Sequence, residues 1–167
     1  MPNDELRLPT IKVAVEVAML GAEPVPMVLF LAESRHHLEE LLDSEEQFLP
    51  AAAQDDGAVE LINKKQLLWL KVGLLDGKLP VEIADLDQEE ALYECREDVL
   101  VEFQDGHRVA GEFLYTPKEG KGRVADYLNR SADVITLWTD SALYVINKNR
   151  VTKVRELGAS AGESGEQ

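Results

Sequence analysis

The chain has 167 residues, of which 45% are hydrophobic, and a formal net charge of −15. The apolar fraction is enough for a buried core and excludes a wholly disordered chain, while the acidity opposes extensive contact with phosphate backbones. The single cysteine, Cys95, excludes an internal disulfide and a multi-cysteine metal site.

The first part of the chain, residues 1–75, predicts a β-rich unit. "IKVAVEVAML" and "PVPMVLFLA" predict two strands, and "SRHHLEELLD" predicts a helix that begins after Ser34. Three short apolar runs then predict three further strands, which are "QFLPAA", "AVELINK" and "LLWLKV".

Residues 76–96 predict an ordered connector, since their apolar side chains would be costly to leave in water. Residues 97–157 predict a second β-rich unit, in which "VLVEF" and "RVAGEFLYT" are strands joined by a hairpin at the Asp-Gly of "QDG". A loop, "PKEGKG", a short helix, "RVADYLN", and three strands, "DVITLW", "SALYVIN" and "RVTKV", follow it. Residues 158–167 predict a flexible tail.

The two units share the order of their features. Ile62-Asn63-Lys64 and Ile146-Asn147-Lys148 match at an offset of 84 residues, whereas "VEV" from Val15 and "VEF" from Val101 match at 86. A gap of two residues inside "AAAQDDG" reconciles the offsets, so we interpret the units as copies from an internal duplication. The expected fold is mainly β with short helices, arranged as two tandem, small, strongly bent β-barrel repeats.

Two strands, a short helix and three strands in each repeat resemble the order of elements in SH3-like and Sm-like barrels, although the Sm family places its helix first. The chain also resembles an uncharacterised family of bacterial proteins with duplicated repeats of this kind. The resemblance is topological and applies to each repeat separately. It implies a fold and carries no function with it.

The repeated Ile-Asn-Lys has two interpretations. Asn63 and Asn147 are suited to the left-handed position of a turn after a strand, with Lys64 and Lys148 as solvated turn residues. Alternatively, each turn supplies a repeated binding residue.

Basic residues are concentrated in the second unit. Residues 11–75 hold 5 basic and 11 acidic side chains (net −6), the connector holds 2 and 7 (net −5), and residues 97–157 hold 9 and 10 (net −1). Either drift or selection for contact explains this asymmetry. The candidate interaction residues are Lys118, Lys121 and Arg123 in a glycine-containing loop, and Lys148, Arg150, Lys153 and Arg155 at the last turn and strand. The loop is suited to an anion or is simply a mobile connection.

Residues with catalytic chemistry are present but form no recognisable motif. His36 and His37 are adjacent and have no partner at helical spacing, and His107 stands alone. The dense carboxylates from Glu39 onward are typical of a solvated helix face. The sequence therefore predicts no catalytic residue, no cofactor and no metal site.

These observations favour a non-catalytic protein-interaction module, such as a regulatory adaptor or an assembly subunit. The alternative is a binding module for nucleic acid or an anionic small ligand through the second repeat. The expected partner is a protein of unknown identity, with a homo-oligomer or pseudo-twofold packing of the two repeats as the way to cover open barrel edges. Nucleic acid and membrane are not expected as partners. Because the chain opens with no signal-peptide pattern and holds no apolar run of spanning length, we expect a cytoplasmic protein.

Overall fold

The computed structural model describes residues 10–32, 42, 45–80, 95–115, 123–130 and 133–158. The first half of the chain contributes five strands, and a 3-10 turn, Lys64–Gln66, joins the last two of them. The strands are β1 (Thr10–Met19), β2 (Val25–Ala32), β3 (Phe48–Ala53), β4 (Val59–Asn63) and β5 (Leu67–Gly73). All five strands predicted for this half are confirmed, whereas the predicted helix after Ser34 lies mostly outside the described residues.

The second half contributes five more strands, a helix at Val124–Arg130 and a 3-10 turn at Lys148–Arg150. The strands are β6 (Cys95–Phe103), β7 (Arg108–Tyr115), β8 (Val134–Trp138), β9 (Ala142–Asn147) and β10 (Val151–Glu156). The strands and the helix predicted here are confirmed, with one difference: β6 begins at Cys95, inside the predicted connector.

Most of the predicted connector and nearly all of the predicted tail lie outside the described residues. No helix in the described part of the chain has the length and apolar character needed to cross a bilayer.

The ten strands form one antiparallel sheet, in the order β10-β6-β7-β8-β9-β5-β1-β2-β3-β4. If the strands are numbered within each half, both halves have the same spatial order, in which the fifth strand is followed by the first, second, third and fourth. The halves meet where the fourth strand of the second half, β9, pairs with the fifth strand of the first, β5. Because different strands of the two halves meet, the arrangement is head-to-tail. A pseudo-twofold arrangement would instead bring the same strand of each half together.

The pairing registers repeat as well. β1 and β5 shift register at Leu68, between Ala18 and Met19, and β6 and β10 shift register at Thr152, between Glu102 and Phe103. These bulges lie 84 residues apart, and the β1–β2 and β6–β7 registers also superpose at 84. The offset of 86 predicted for the first strand of each half is therefore wrong by two residues. An offset of 86 applies to β3 and β8, so the halves differ by two residues between their second and third strands and again, in the opposite sense, in the loop between the third and fourth, where a gap was predicted.

The hydrophobic core is shared between the halves at their junction. Three residues of β5 (Leu67, Leu70 and Val72) pack in a cluster made mostly by the first half, together with Leu143 and Val145 of β9. Two others, Leu68 and Trp69, pack in the cluster of the second half. β5 is thus buried on both faces, which explains why "LLWL" does not alternate. The two halves form one packed body across this strand pair.

Gly111 of β7 marks a close approach between neighbouring strands. A Cβ atom placed on Gly111 would lie 2.7 Å from Leu137 Cγ and 2.7 Å from the carbonyl oxygen of Trp138. Gly73, at the end of β5, also lies in a strand, but a Cβ there would meet nothing within 4 Å. The sheet therefore requires glycine at the first position and tolerates a side chain at the second.

We expect Gly111→Ala to lower the free energy of unfolding by about 2 kcal/mol, because the added methyl group overpacks a backbone contact that cannot easily move. The matched change Gly73→Ala should stay within about 0.5 kcal/mol of the parent chain. Urea denaturation of the three proteins measures both values. Equal stability of the two variants would contradict the strand placement.

Candidate functional site

The two Ile-Asn-Lys segments adopt the same local structure. Asn63 ends β4 and caps the 3-10 turn that follows, where its Oδ1 accepts a hydrogen bond from Lys65 N at 3.0 Å. Asn147 ends β9 and accepts one from Asn149 N at 3.1 Å. Their φ angles of −75° and −76° are extended, so the expected left-handed conformation is wrong. The side chain caps the turn directly, which makes a positive φ unnecessary.

The two turns differ in what their remaining polar groups reach. Asn147 Nδ2 donates to the carbonyl oxygens of Lys64 (3.1 Å) and Leu67 (3.0 Å), both in the opposite half. No hydrogen bond from Asn63 Nδ2 to another described residue is present. One asparagine therefore joins the halves, and its counterpart makes no such bond among the described residues.

The basic cluster of the last turn is also engaged within the chain. Arg150 is half-buried, and its Nε and Nη1 donate to the Lys65 carbonyl oxygen (2.6 Å) and to Gln104 Oε1 (2.9 Å). Lys148 Nζ donates to the Leu128 carbonyl oxygen at 2.8 Å. Lys148 was expected as a solvated turn residue, and that expectation is wrong because its ammonium group donates to a backbone carbonyl oxygen of the helix Val124–Arg130.

The other basic candidates lie apart. Arg123 is exposed and forms an ion pair with Asp126 at 3.2 Å, and the hydrogen bond to that carboxylate raises the pKa of Arg123. Lys153 lies 4.0 Å from Glu102, and Arg155 is exposed on β10. Lys118 and Lys121 lie outside the described residues. The structure brings together only Lys148 and Arg150 of the predicted set, in one turn whose side chains bind carbonyl oxygens.

A groove of about 580 Å³ opens beside the Ile-Asn-Lys turns, where the two halves meet. Its lining carries charges of both signs and two asparagine side chains. The charged and amide residues are Glu45, Glu46, Asp133, Lys64, Lys65, Arg150, Gln47, Asn147 and Asn149. A mixed lining of this kind selects for neither an anion nor a cation.

Three of the six large apolar side chains that are exposed in the described residues lie on β4 and the neighbouring strand β3. Val59 and Leu61 are 64% and 67% exposed, and Phe48 of the neighbouring strand β3 is 50% exposed. The β3–β4 register places the three side chains on one face of the sheet. Within the described part of the chain, β4 pairs with β3 alone, so its outward backbone groups form an open edge.

The equivalent strand of the second half is covered. Leu143 and Val145 of β9 stand 84 residues after Val59 and Leu61, and both are 0% exposed in the core cluster that forms where β5 pairs with β9. Among the described residues, the same strand position is thus buried in one half and open in the other. A comparison of the two copies in the sequence identifies Leu61 as apolar at this position, but only strand pairing shows that it is uncovered.

Groups with catalytic chemistry remain dispersed. In the part of the chain that the structure describes, no three His, Cys, Asp or Glu side chains lie together as a metal site. Cys95 is half-buried at the start of β6. Glu45 and Glu46 are exposed, while His36 and His37 lie outside the described residues.

Asp105, for which the sequence predicted only a place in a hairpin turn, joins the two halves at a second place. Its Oδ2 accepts a hydrogen bond from Gly21 N at 2.9 Å, and its Oδ1 lies 2.8 Å from His107 Nδ1. Burial raises the pKa of the Asp105 carboxyl, but the hydrogen bonds from Gly21 and His107 outweigh it, and the net pKa is lowered. The Asp-Gly motif predicted the turn; only the fold places Gly21 beside it.

We expect Asn147→Asp to lower the free energy of unfolding by about 2 kcal/mol. The carboxylate keeps the cap, but it loses two donated hydrogen bonds and faces the carbonyl oxygens of Lys64 and Leu67. The control is Asn149→Asp in the same turn, an exposed residue that adds the same charge and should have little effect. Thermal and urea unfolding at low protein concentration measure both. An Asn147→Asp variant as stable as the parent chain would contradict the bridging role of Asn147.

We expect Asp105→Asn to destabilise the protein most above about pH 4, where the unfolded carboxyl is ionised. Because the folded pKa is lowered, the ionised carboxyl stabilises the fold above the unfolded pKa, and this contribution is lost as the pH falls through the folded pKa. The stability difference between wild type and variant should therefore shrink toward about pH 2. Asp140→Asn, at an exposed turn, provides the control. A pH-independent difference would show that the charge is not responsible.

Comparisons with protein-family models, with curated proteins and with solved structures return no match to this chain. Its function is therefore inferred from its own geometry.

Proposed function

We propose that this protein is a non-catalytic protein-interaction module, an assembly subunit or a regulatory adaptor, that binds through the open edge of its sheet. The edge of β4 carries the proposal. It combines unpaired backbone groups with the exposed side chains of Val59, Leu61 and Phe48. An edge of this kind accepts a further strand from another chain, with main-chain hydrogen bonds for affinity and apolar side chains for specificity.

The proposal includes an internal duplication that produced two small bent β-barrel repeats of the SH3-like or Sm-like kind. Both halves follow the same strand order, repeat the same bulge and end their fourth strand in the same asparagine-capped turn. In the second half the helix Val124–Arg130 lies between the second and third strands. Duplication supports an interaction role, because the two edge strands, β4 and β10, are counterparts of the strands β9 and β5, which pair with each other inside the chain.

The alternative function, binding of nucleic acid or an anionic ligand through the second half, has weaker support. Four of the basic candidates that the structure describes, Arg123, Lys148, Arg150 and Lys153, are engaged with acidic groups or with carbonyl oxygens, and Arg155 is exposed. The groove beside them carries both signs of charge. Binding of a labelled oligonucleotide that weakens steeply with added salt would favour the alternative.

A cytoplasmic location is also part of the proposal. The chain contains a single cysteine, Cys95, and therefore no internal disulfide of the kind common in secreted domains. Cell fractionation with a compartment-specific antibody tests this point independently of partner binding.

We expect Leu61→Lys to reduce partner binding at least tenfold, because a charged side chain replaces an apolar contact in the middle of the open edge. The matched control is Leu75→Lys, which makes the same change at a residue that is 80% exposed in a turn away from β4. Tagged wild type and both variants are used as baits in native extract, and captured proteins are quantified by mass spectrometry. Untagged copies of this chain count among them.

Both variants should unfold at the same temperature and urea concentration as wild type, which shows that the fold is intact. Proteins captured equally by all three baits, with none dependent on Leu61, would contradict an interaction role for the β4 edge.

A further inference from the structure

The two halves meet at a pair of strands, and the strands equivalent to this pair lie at the two outer edges of the sheet. Inside the chain, β9 pairs antiparallel with β5. The counterpart of β9 in the first half is β4, and the counterpart of β5 in the second half is β10. β4 and β10 are the two outermost strands of the sheet. One edge of the sheet is therefore the counterpart of β9, and the other edge is the counterpart of β5.

We propose that β10 of one chain pairs with β4 of a second copy, in the register that joins β5 to β9 within the chain. This inference rests on the proposed interaction function and names the partner as the chain itself. The contact is heterologous, because different edges of the two copies meet, so repetition gives a closed ring or an open filament. The sheet then continues from one copy to the next, and first and second halves follow each other across it in the same order as within one chain.

Burial supports this assignment. The internal junction covers Leu143 and Val145 of β9 completely, while their counterparts on β4, Val59 and Leu61, are 64% and 67% exposed. A strand in the position of β5 would lie directly beside both of these side chains, and β10 in that position sets Glu156 opposite Val59. The edge of β4 thus offers the strand position that the chain already fills once internally.

The register of the internal junction predicts the contacts between copies. Within the chain, Leu70 pairs with Val145 and Lys71 pairs with Tyr144. Moving 84 residues forward from β5 and 84 back from β9 places Val154 opposite Leu61 and Arg155 opposite Glu60. An apolar pair and a pair of opposite charges therefore face each other, as stable cross-strand pairing requires.

Asn63 supplies a second and independent observation. At the internal junction, Asn147 Nδ2 donates to the carbonyl oxygens of Lys64 and Leu67. The same shift places the carbonyl oxygens of Lys148 and Val151 of a second copy beside Asn63 Nδ2, which donates to no residue in the described part of its own chain. The amide is left without an acceptor where a neighbouring copy would provide two.

The test is a charge exchange followed by light scattering and native mass spectrometry over a range of concentrations. Wild type should form assemblies heavier than the 18.6 kDa chain. Glu60→Arg places two guanidinium groups opposite each other across the contact, and Arg155→Glu places two carboxylates there, so each variant alone should associate at least tenfold more weakly. Asn63→Asp should also weaken association.

Mixing the two charge variants is the decisive step. In an alternating arrangement, the arginine introduced at position 60 of one variant meets the glutamate introduced at position 155 of the other, and the remaining contact is the wild-type pair. An equimolar mixture should therefore assemble as wild type does, as should the double variant. Glu23→Arg, an exposed residue in the β1–β2 turn, makes the same charge change and should leave association unaltered.

Two results would overturn the inference: a wild type that stays monomeric at high concentration, or charge variants that assemble normally alone. A monomer whose capture of another protein still depends on Leu61 would overturn the inference and leave the proposed function standing. Loss of both self-association and Leu61-dependent capture would remove the two together.

Discussion

The pairing of β5 with β9 is the interaction on which the rest of the structure depends. It joins ten strands into one sheet and buries β5 on both faces, with Leu70 in one core cluster and Trp69 in the other. A strand so enclosed must be apolar along most of its length, because no alternate position faces water. The same pairing sets the head-to-tail direction of the two halves and thereby decides which strands remain at the edges.

Polar contacts reinforce this junction at its two ends. Asn147 and Arg150 donate to carbonyl oxygens of the first 3-10 turn, and Asp105 accepts from Gly21 at the hairpins. The backbone groups involved belong to turns, where ladder hydrogen bonds end and carbonyl oxygens need other donors. Basic and amide side chains at the junction are therefore used for internal bonding, and the charge asymmetry of the two halves does not translate into a free cationic face there.

The strands were predictable because their side chains alternate or form short apolar runs between turn residues. Asp105-Gly106 shows this well: the motif predicts a hairpin, and Gly106 has a φ of 94° in the turn. The Ile-Asn-Lys repeat predicted equivalent turns for the same reason, although its conformation was extended where a left-handed one was expected. The candidate site was less predictable, since Arg150 and Lys148 are defined by partners 85 and 20 residues away in the chain.

By itself, the sequence determined the β-rich class, the strands and turns, the helix Val124–Arg130 and the equivalence of the two halves, because these follow from local periodicity and turn chemistry. Only the tertiary structure decided which strands are neighbours. Val145 and Leu61 occupy equivalent places in the fourth strands of the two halves, yet Val145 is buried and Leu61 is 67% exposed. Alternation assigns a side chain to a face of a strand, but the strand that covers that face is chosen by pairing over long distances in the chain, which a local pattern does not encode.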